Sequence, residues 1–346
     1  MSSFYQPHSF YDLQAANRRK TTLLIVAFLV LFAALGYGFD WFFGVGMRHG
    51  GLSFPLPIFC FIGFLLGAAS ASMSYFNGAS QVLNATNARP ADPSVLGQKQ
   101  LMNVVDEMRL ASGLPPIPVY VVPDPDPNAF AVGRDPQHAS IAVTQGLLDT
   151  LDREELQGVI GHELSHVKNL DVRTMTLVAA LYGGLVLLSD MGARSMRWGR
   201  MGGGDRGRGG RGGGGVILLL LWLFLLILAP ILGRLMALAV SRSREYDADA
   251  SSAEMTRNPL GLASALRKIE AATEPTRSIG RGAAHLCIAD PRGRELNQSE
   301  NGWANLWGTH PPIQKRISLL ESMAGVVTAD APEVAPRPAT AAGGLA

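Results

Sequence analysis

His162-Glu163-Leu164-Ser165-His166 sets two imidazoles four residues apart, with a carboxylate next to the first. On a helix, positions i and i+4 share a face, so both rings can address one ion while Glu163 reaches a water on it. Two nitrogen ligands and a general base are what metal-assisted hydrolysis requires. An ordinary helix with two surface histidines competes with that reading, and the surroundings weigh against it. Asp152 followed by Glu155 makes a capping box, and Leu156, Val159, Ile160 and Leu164 can pack the side away from the histidines. A catalytic zinc takes three protein ligands and a water, and no histidine lies at the spacing that would complete a three-histidine set. Further on, SRSREYDADA holds Glu245 and Asp249 on one helical face. Glu245 could bind the metal while Asp249 orients a histidine through its free ring nitrogen. A solvated, charged helix start accounts for the same string.

The elements that must position these residues are short and mixed. Val95 to Ser112 carries Leu101, Val104, Val105, Met108 and Leu110 at near-helical spacing and stops before Gly113 and Pro115. Three β-rich pieces follow, at 117–123, 128–133 and 139–145, separated by DPDPN and GRDPQ turn chemistry. Together they predict a small antiparallel sheet, after which the helix capped by Asp152 carries the histidines.

Around this polar stretch lie four apolar runs. Of the 346 residues 47% are hydrophobic and only 17% charged, against roughly 25% charged in soluble domains. Thr21 to Phe39 and Leu52 to Phe76 are uncharged and long enough to span a bilayer, which takes about 20 residues. Twenty residues precede the first run, which favours an uncleaved anchor over a signal peptide. Val216 to Gly233 reads as a further span, whereas Thr174 to Ser189 is only sixteen residues. Arg18, Arg19 and Lys20 abut the first run and place the N-terminus in the cytoplasm. The loop between the last two runs holds six arginines and one acid, against the positive-inside rule. Its Gly/Arg composition reads as a solvated connector in preference to an RNA-binding segment, and the formal charge of +2 gives no reason to expect nucleic acid. His162 and His166 precede the third run and Glu245 follows the fourth. A shared metal site therefore needs an even number of crossings between them.

Four strings, in this order, resemble the HtpX-like membrane zinc metalloproteases, which are related more distantly to CAAX prenyl endopeptidases. They are NAFAVG at Asn128–Gly133, GHELSHVKNLD at Gly161–Asp171, SRSREYDADA at Ser241–Ala250 and THPPIQKRI at Thr309–Ile317. With the apolar runs between them they cover nearly the whole chain. The resemblance implies an integral membrane α+β protein: four predicted transmembrane helices and a zincin-like cytoplasmic metalloprotease domain with the small antiparallel sheet. It implies one Zn2+ per chain on His162, His166 and Glu245, with Glu163 as the base. Asp249 and Asp171 match positions behind the ligands. His310 matches a histidine near the substrate carbonyl, though a loop-to-helix cap explains it equally. Asn128, Ala129, Phe130, Ala131 and Val132 look like an edge strand that takes up substrate backbone, or simply sheet structure.

The organisation expected is a cytoplasmic arm at 1–20, two membrane helices in 21–76, and a first protease part at 77–173. A membrane hairpin at 174–240, a second protease part at 241–325 and a disordered tail at 326–346 follow. The expected protein is a multi-pass, inner-membrane zinc endopeptidase acting on protein or peptide substrates. Quality control of misfolded membrane proteins comes from the resemblance alone. A prenyl-protein endopeptidase is disfavoured because that family has seven spans, and a zinc-containing scaffold is disfavoured because a structural site has no use for Glu163.

Overall fold

Uncharged helical runs beside short alternating strands should give long helices docked on a layered α+β body, and the computed structural model has that form. It describes residues 10–43, 46–49, 52–55, 57–182, 242–272, 278–279, 283–289 and 311–326. His310, the Gly/Arg loop, the fourth apolar run, the end of the third and the C-terminal tail lie outside the described residues.

Helix α1 (Phe10–Phe43) begins well before the apolar run, so most of the expected N-terminal arm is its first turns. A two-stranded hairpin, β1 (Gly46–His49) and β2 (Leu52–Pro55), leads to α2 (Ile58–Ala85). The second apolar run therefore opens as a strand, because Pro55 and Pro57 defer the helix to Ile58. Both helices are long and apolar enough to cross a membrane. Leu23, Val30, Phe61, Leu66 and Met73 stay exposed along them, as lipid-facing side chains would. The two helices touch backbone to backbone: a Cβ on Gly36 would sit 2.0 Å from the Phe59 carbonyl oxygen. Asp40, buried at the end of α1, accepts from the amides of Phe59 and Cys60 at 2.9 and 2.8 Å. It thus satisfies two of the free N–H groups that open α2, which has no side-chain cap of its own.

The body follows as β3 (Arg89–Pro90), α3 (Leu96–Ser112), β4 (Val119–Val122), β5 (Ala129–Gly133), β6 (Ala139–Thr144), α4 (Gln145–Thr150) and α5 (Arg153–Lys168). After a tight turn comes α6, helical from 171 through 182, then α7 (Arg242–Thr256), α8 (Pro259–Ala271) and α9 (Ile313–Met323). The sheet order is β3-β4-β6-β5. The sheet is mixed, which corrects the antiparallel expectation: β5 and β6 form an antiparallel pair, but β4 runs parallel to β6. The connection from Pro123 to Asn128 is too long and proline-rich for a tight hairpin. It crosses the end of β6, where Gly146 N donates to Asp124 O at 2.9 Å, and delivers β5 to the far edge.

Alternation along the strands feeds two cores. Val121, Ala129, Ala131, Ile141 and Val143 face α3, α5, α8 and α9. Val122, Phe130, Val132 and Ala142 face the end of α2 and the start of α6. Both faces of the sheet are covered, and every residue of the edge strand β5 is buried. A third cluster joins Leu24, Phe28 and Ala71 of the two long apolar helices to Leu177, Val178 and Leu181 of α6.

Candidate metal centre

Helix α5 is fastened at its start and along one side. Asp152 accepts from the amides of Glu154 and Glu155, both at 3.0 Å, and Glu155 accepts from Asp152 N at 2.9 Å. The free capacity of Glu155 receives Ser264 Oγ and Lys268 Nζ from α8, each at 2.6 Å. Ser252 of α7 donates to Gly158 O at 2.6 Å, one turn ahead of His162. With Leu156, Val159, Ile160, Leu164 and Val167 in the core, the helix cannot rotate, and its histidines are held toward α7.

There the structure brings His162, His166 and Glu245 together. Among the described residues they are the one group of histidine, cysteine and acidic side chains able to share an ion. The two Nε2 atoms are 3.2 Å apart, and Glu245 oxygens lie 3.7 Å from His162 Nε2 and 3.6 Å from His166 Nε2. Donors at zinc bond lengths of about 2.0–2.1 Å span tetrahedral edges of roughly 3.3–3.4 Å, so this triangle fits the ion within a few tenths of an ångström. Two imidazole nitrogens so close need a proton or a cation between them, which is the chemistry a metal site exploits.

The outer nitrogens are equally specified. His162 Nδ1 lies 2.9 Å from Asp249 Oδ1, and His166 Nδ1 lies 3.2 Å from Asp171 Oδ2. Such pairs fix the ring tautomer and turn the Nε2 lone pair inward. Leu170 takes a left-handed conformation (φ 61°) that reverses the chain after α5 and brings Asp171 back against His166. Behind Asp249 stands Arg316 of α9, fully buried, with Nη2 and Nε at 2.7 and 2.8 Å from its two oxygens. Arg316 Nη1 also donates to Ile288 O at 2.9 Å and lies 3.7 Å from Glu245. Arg244 Nη1 donates to Asp171 at 3.0 Å.

Glu163 is buried beside these three side chains and accepts the backbone N–H of Ala131 on β5. Burial pushes its carboxyl up to about 7; the charge of His166 opposes this and that of Glu245 adds to it. Burial also works against a charged His166, but the Asp171 hydrogen bond and Glu245 outweigh it and lift that ring to about 9. Burial holds His162 below its ordinary range despite Asp249. Asp249 is held low: burial opposes its charge, and Arg316 outweighs burial.

Of the substrate-strand residues, Asn128 precedes β5 and Ala129 to Val132 lie within it, at the sheet edge nearest Glu163. That edge is in use: Ala129 O accepts from Ile288 N at 3.0 Å, and Gly133 N donates to Thr176 Oγ1 at 2.9 Å. Asn128 Nδ2 donates to Ala289 O at 3.0 Å. Two participants escaped the sequence reading. Arg316 sits inside a quoted string but looks like any charge on an amphipathic helix, and Asn17 looks like part of a polar arm.

Residues 96–324 match the model of peptidase family M48. Proteins named "Protease HtpX homolog" align over nearly their whole length. The one from Caldanaerobacter subterraneus subsp. tengcongensis is 44% identical over 91% of this chain and 98% of its own. That from Thermoanaerobacter pseudethanolicus is 42% identical over the same shares, and that from Lactobacillus acidophilus 37% over 90% and 99%. The crystal structure of S. mikatae Ste24p superposes with a TM-score of 0.45 at 16% identity, covering 90% of this chain and 67% of that one.

Proposed function

The chain belongs to peptidase family M48 and is a membrane metalloendopeptidase, and from that premise we propose that His162, His166 and Glu245 hold one zinc ion per chain while Glu163 is the catalytic base. The convergence of three donor atoms beside a buried glutamate carries this reading. Zinc bound there supplies Lewis acidity, polarising a carbonyl and acidifying water. The protein's own groups do the rest. Asp249 and Asp171 keep both rings in the ligating tautomer, and Glu163 takes a proton from water and returns it to the leaving amine. Burial lifts the Glu163 carboxyl in the ion-free protein, the direction that makes a carboxylate a better proton acceptor.

Protein or peptide substrates follow from the class. We infer that the substrate backbone adds along the outer edge of β5, beside Glu163, once the segment bearing Ile288 yields the Ala129 carbonyl. His310 is placed in the same proposal as a donor to the developing oxyanion. The active site faces the cytoplasm on this reading. The basic triplet Arg18-Arg19-Lys20 supports it, together with hydrogen bonds that tie the same end of α1 to the catalytic half. The packing of α6 on α1 and α2 supports a second membrane hairpin over 174–240, and a site at the end of membrane helices suits membrane-protein substrates in the inner membrane.

The test uses the full chain in detergent. Glu163→Gln should retain zinc at one per chain and lose cleavage of an unfolded protein substrate. Unchanged turnover, or a variant unable to hold zinc, overturns the assignment of Glu163.

A further inference from the structure

Asp171 receives donors from three helices, and one of them is the first membrane helix. Asn17 Nδ2 is 2.6 Å from Asp171 Oδ1 and 2.9 Å from Asn169 O, so both of its N–H groups are directed. Arg244 Nη1 shares the same carboxylate oxygen at 3.0 Å, leaving Oδ2 to His166. Asn17 is only 3% exposed, an unusual state for an amide residue next to Arg18, Arg19 and Lys20.

Its neighbours explain how it comes to be there. Gln14, Asn17, Thr21, Leu24 and Phe28 recur at intervals of three and four, one stripe along α1. Gln14 Nε2 donates to Lys168 O at 2.9 Å, and the hydroxyls of Thr21 and Thr174 are 2.8 Å apart. Leu24 and Phe28 then join the apolar cluster with α6. The stripe docks α1 against the turn that follows the histidine helix, polar at one end and apolar at the other. Within it, Asn17 alone reaches a group that touches a metal-ligating ring.

We propose that Asn17 is a positioning residue of the metal centre, through which the membrane helix sets the orientation of His166 by way of Asp171. With that amide absent, Asp171 keeps Arg244, which pulls on the same oxygen from the α7 side alone. The carboxylate is then free to swing, and the His166 ring with it. The effect runs through this one amide, and α1 contributes no ligand. The inference rests on the assignment of His162, His166 and Glu245 as ligands.

Zinc affinity of the full-length protein in detergent, by competition with a chromogenic chelator, tests it, alongside the visible absorption of the cobalt(II)-loaded form. Asn17→Leu should weaken zinc binding about tenfold, the lower end of the range for groups that orient zinc-bound histidines, and should change the cobalt spectrum. Thr21→Val, which removes a neighbouring hydrogen bond of the same stripe without touching Asp171, should leave both unchanged. In an Asp171→Asn background, Asn17→Leu should cost nothing further. Where Asn17→Leu does not fold, Asn17→Ala enters the same comparison. Wild-type affinity in the Asn17 variant overturns the proposal, as does an equal loss in Thr21→Val or losses that multiply in the double variant. Failure of the wild type to take up zinc overturns the ligand assignment instead.

Discussion

Replacing Arg316 with methionine removes the cation behind the metal site while keeping a side chain of similar reach. Asp249 would lose both short hydrogen bonds, and Ile288 O its donor, in a place without solvent. Opposite charges about 4 Å apart attract by about 4 kcal/mol at an effective dielectric of ~20. Breaking one side of a buried pair costs about 3–5 kcal/mol by mutation, so the two routes agree. For a body of this size that lowers the unfolding midpoint by roughly 6–20 °C. Thermal unfolding of the detergent-solubilised protein reads the loss. The double variant Arg316→Met/Asp249→Leu separates charge from packing, because exchanging a whole buried pair for apolar groups is often near neutral. Its midpoint should recover most of the loss. Its zinc affinity should stay about 10–100-fold down, since His162 has lost the carboxylate that orients it. A single variant as stable as wild type, or a double variant no more stable than the single, would refute the reasoning.

Three further outcomes follow from the histidine helix. His166, lifted to about 9, carries a proton in the ion-free protein that an entering cation must expel. Zinc affinity should therefore rise about tenfold per pH unit from 7 to 9 and level off above, and a flat profile in competition titrations would contradict this. The same shift stabilises the ion-free fold fully below the ordinary histidine pKa of about 6.5, and that contribution fades as pH rises through 9. Gly158→Ala would place a Cβ 2.8 Å from Leu262 N and 2.9 Å from its Cα, forcing α8 off the histidine helix. A loss of about 1–3 kcal/mol in stability, with weaker zinc binding, is expected; an unchanged unfolding midpoint would show that the contact relaxes freely.

Local chemistry explains which parts of this were readable from sequence. The i, i+4 histidines, the Asp152–Glu155 capping box and the stop at Gly113 are patterns spanning four or five residues, and each is present in space. The parallel register of β4 and β6 was not readable, because strand alternation is the same in either direction and only the path of residues 123–128 decides it. Arg316 and Asn17 were hidden for another reason. Each is a polar residue in a polar string, and each is buried by partners many positions away. Leu170 carries no glycine signature for its left-handed turn, although that turn determines where Asp171 stands.

The ligand triangle is drawn from both sides of a long insertion: two corners come from α5, and the third from α7 after residues 183–241. A ribosome making this 346-residue chain completes the HExxH helix less than halfway along, and must still thread the insertion before Glu245 emerges. Until then the nascent polypeptide lacks Glu245, the third of the proposed metal donors. A peptidase is itself unfolded protein while it is being made. Division of the proposed site across residues 183–241 keeps the cutting edge blunt until the chain between its halves has been synthesised.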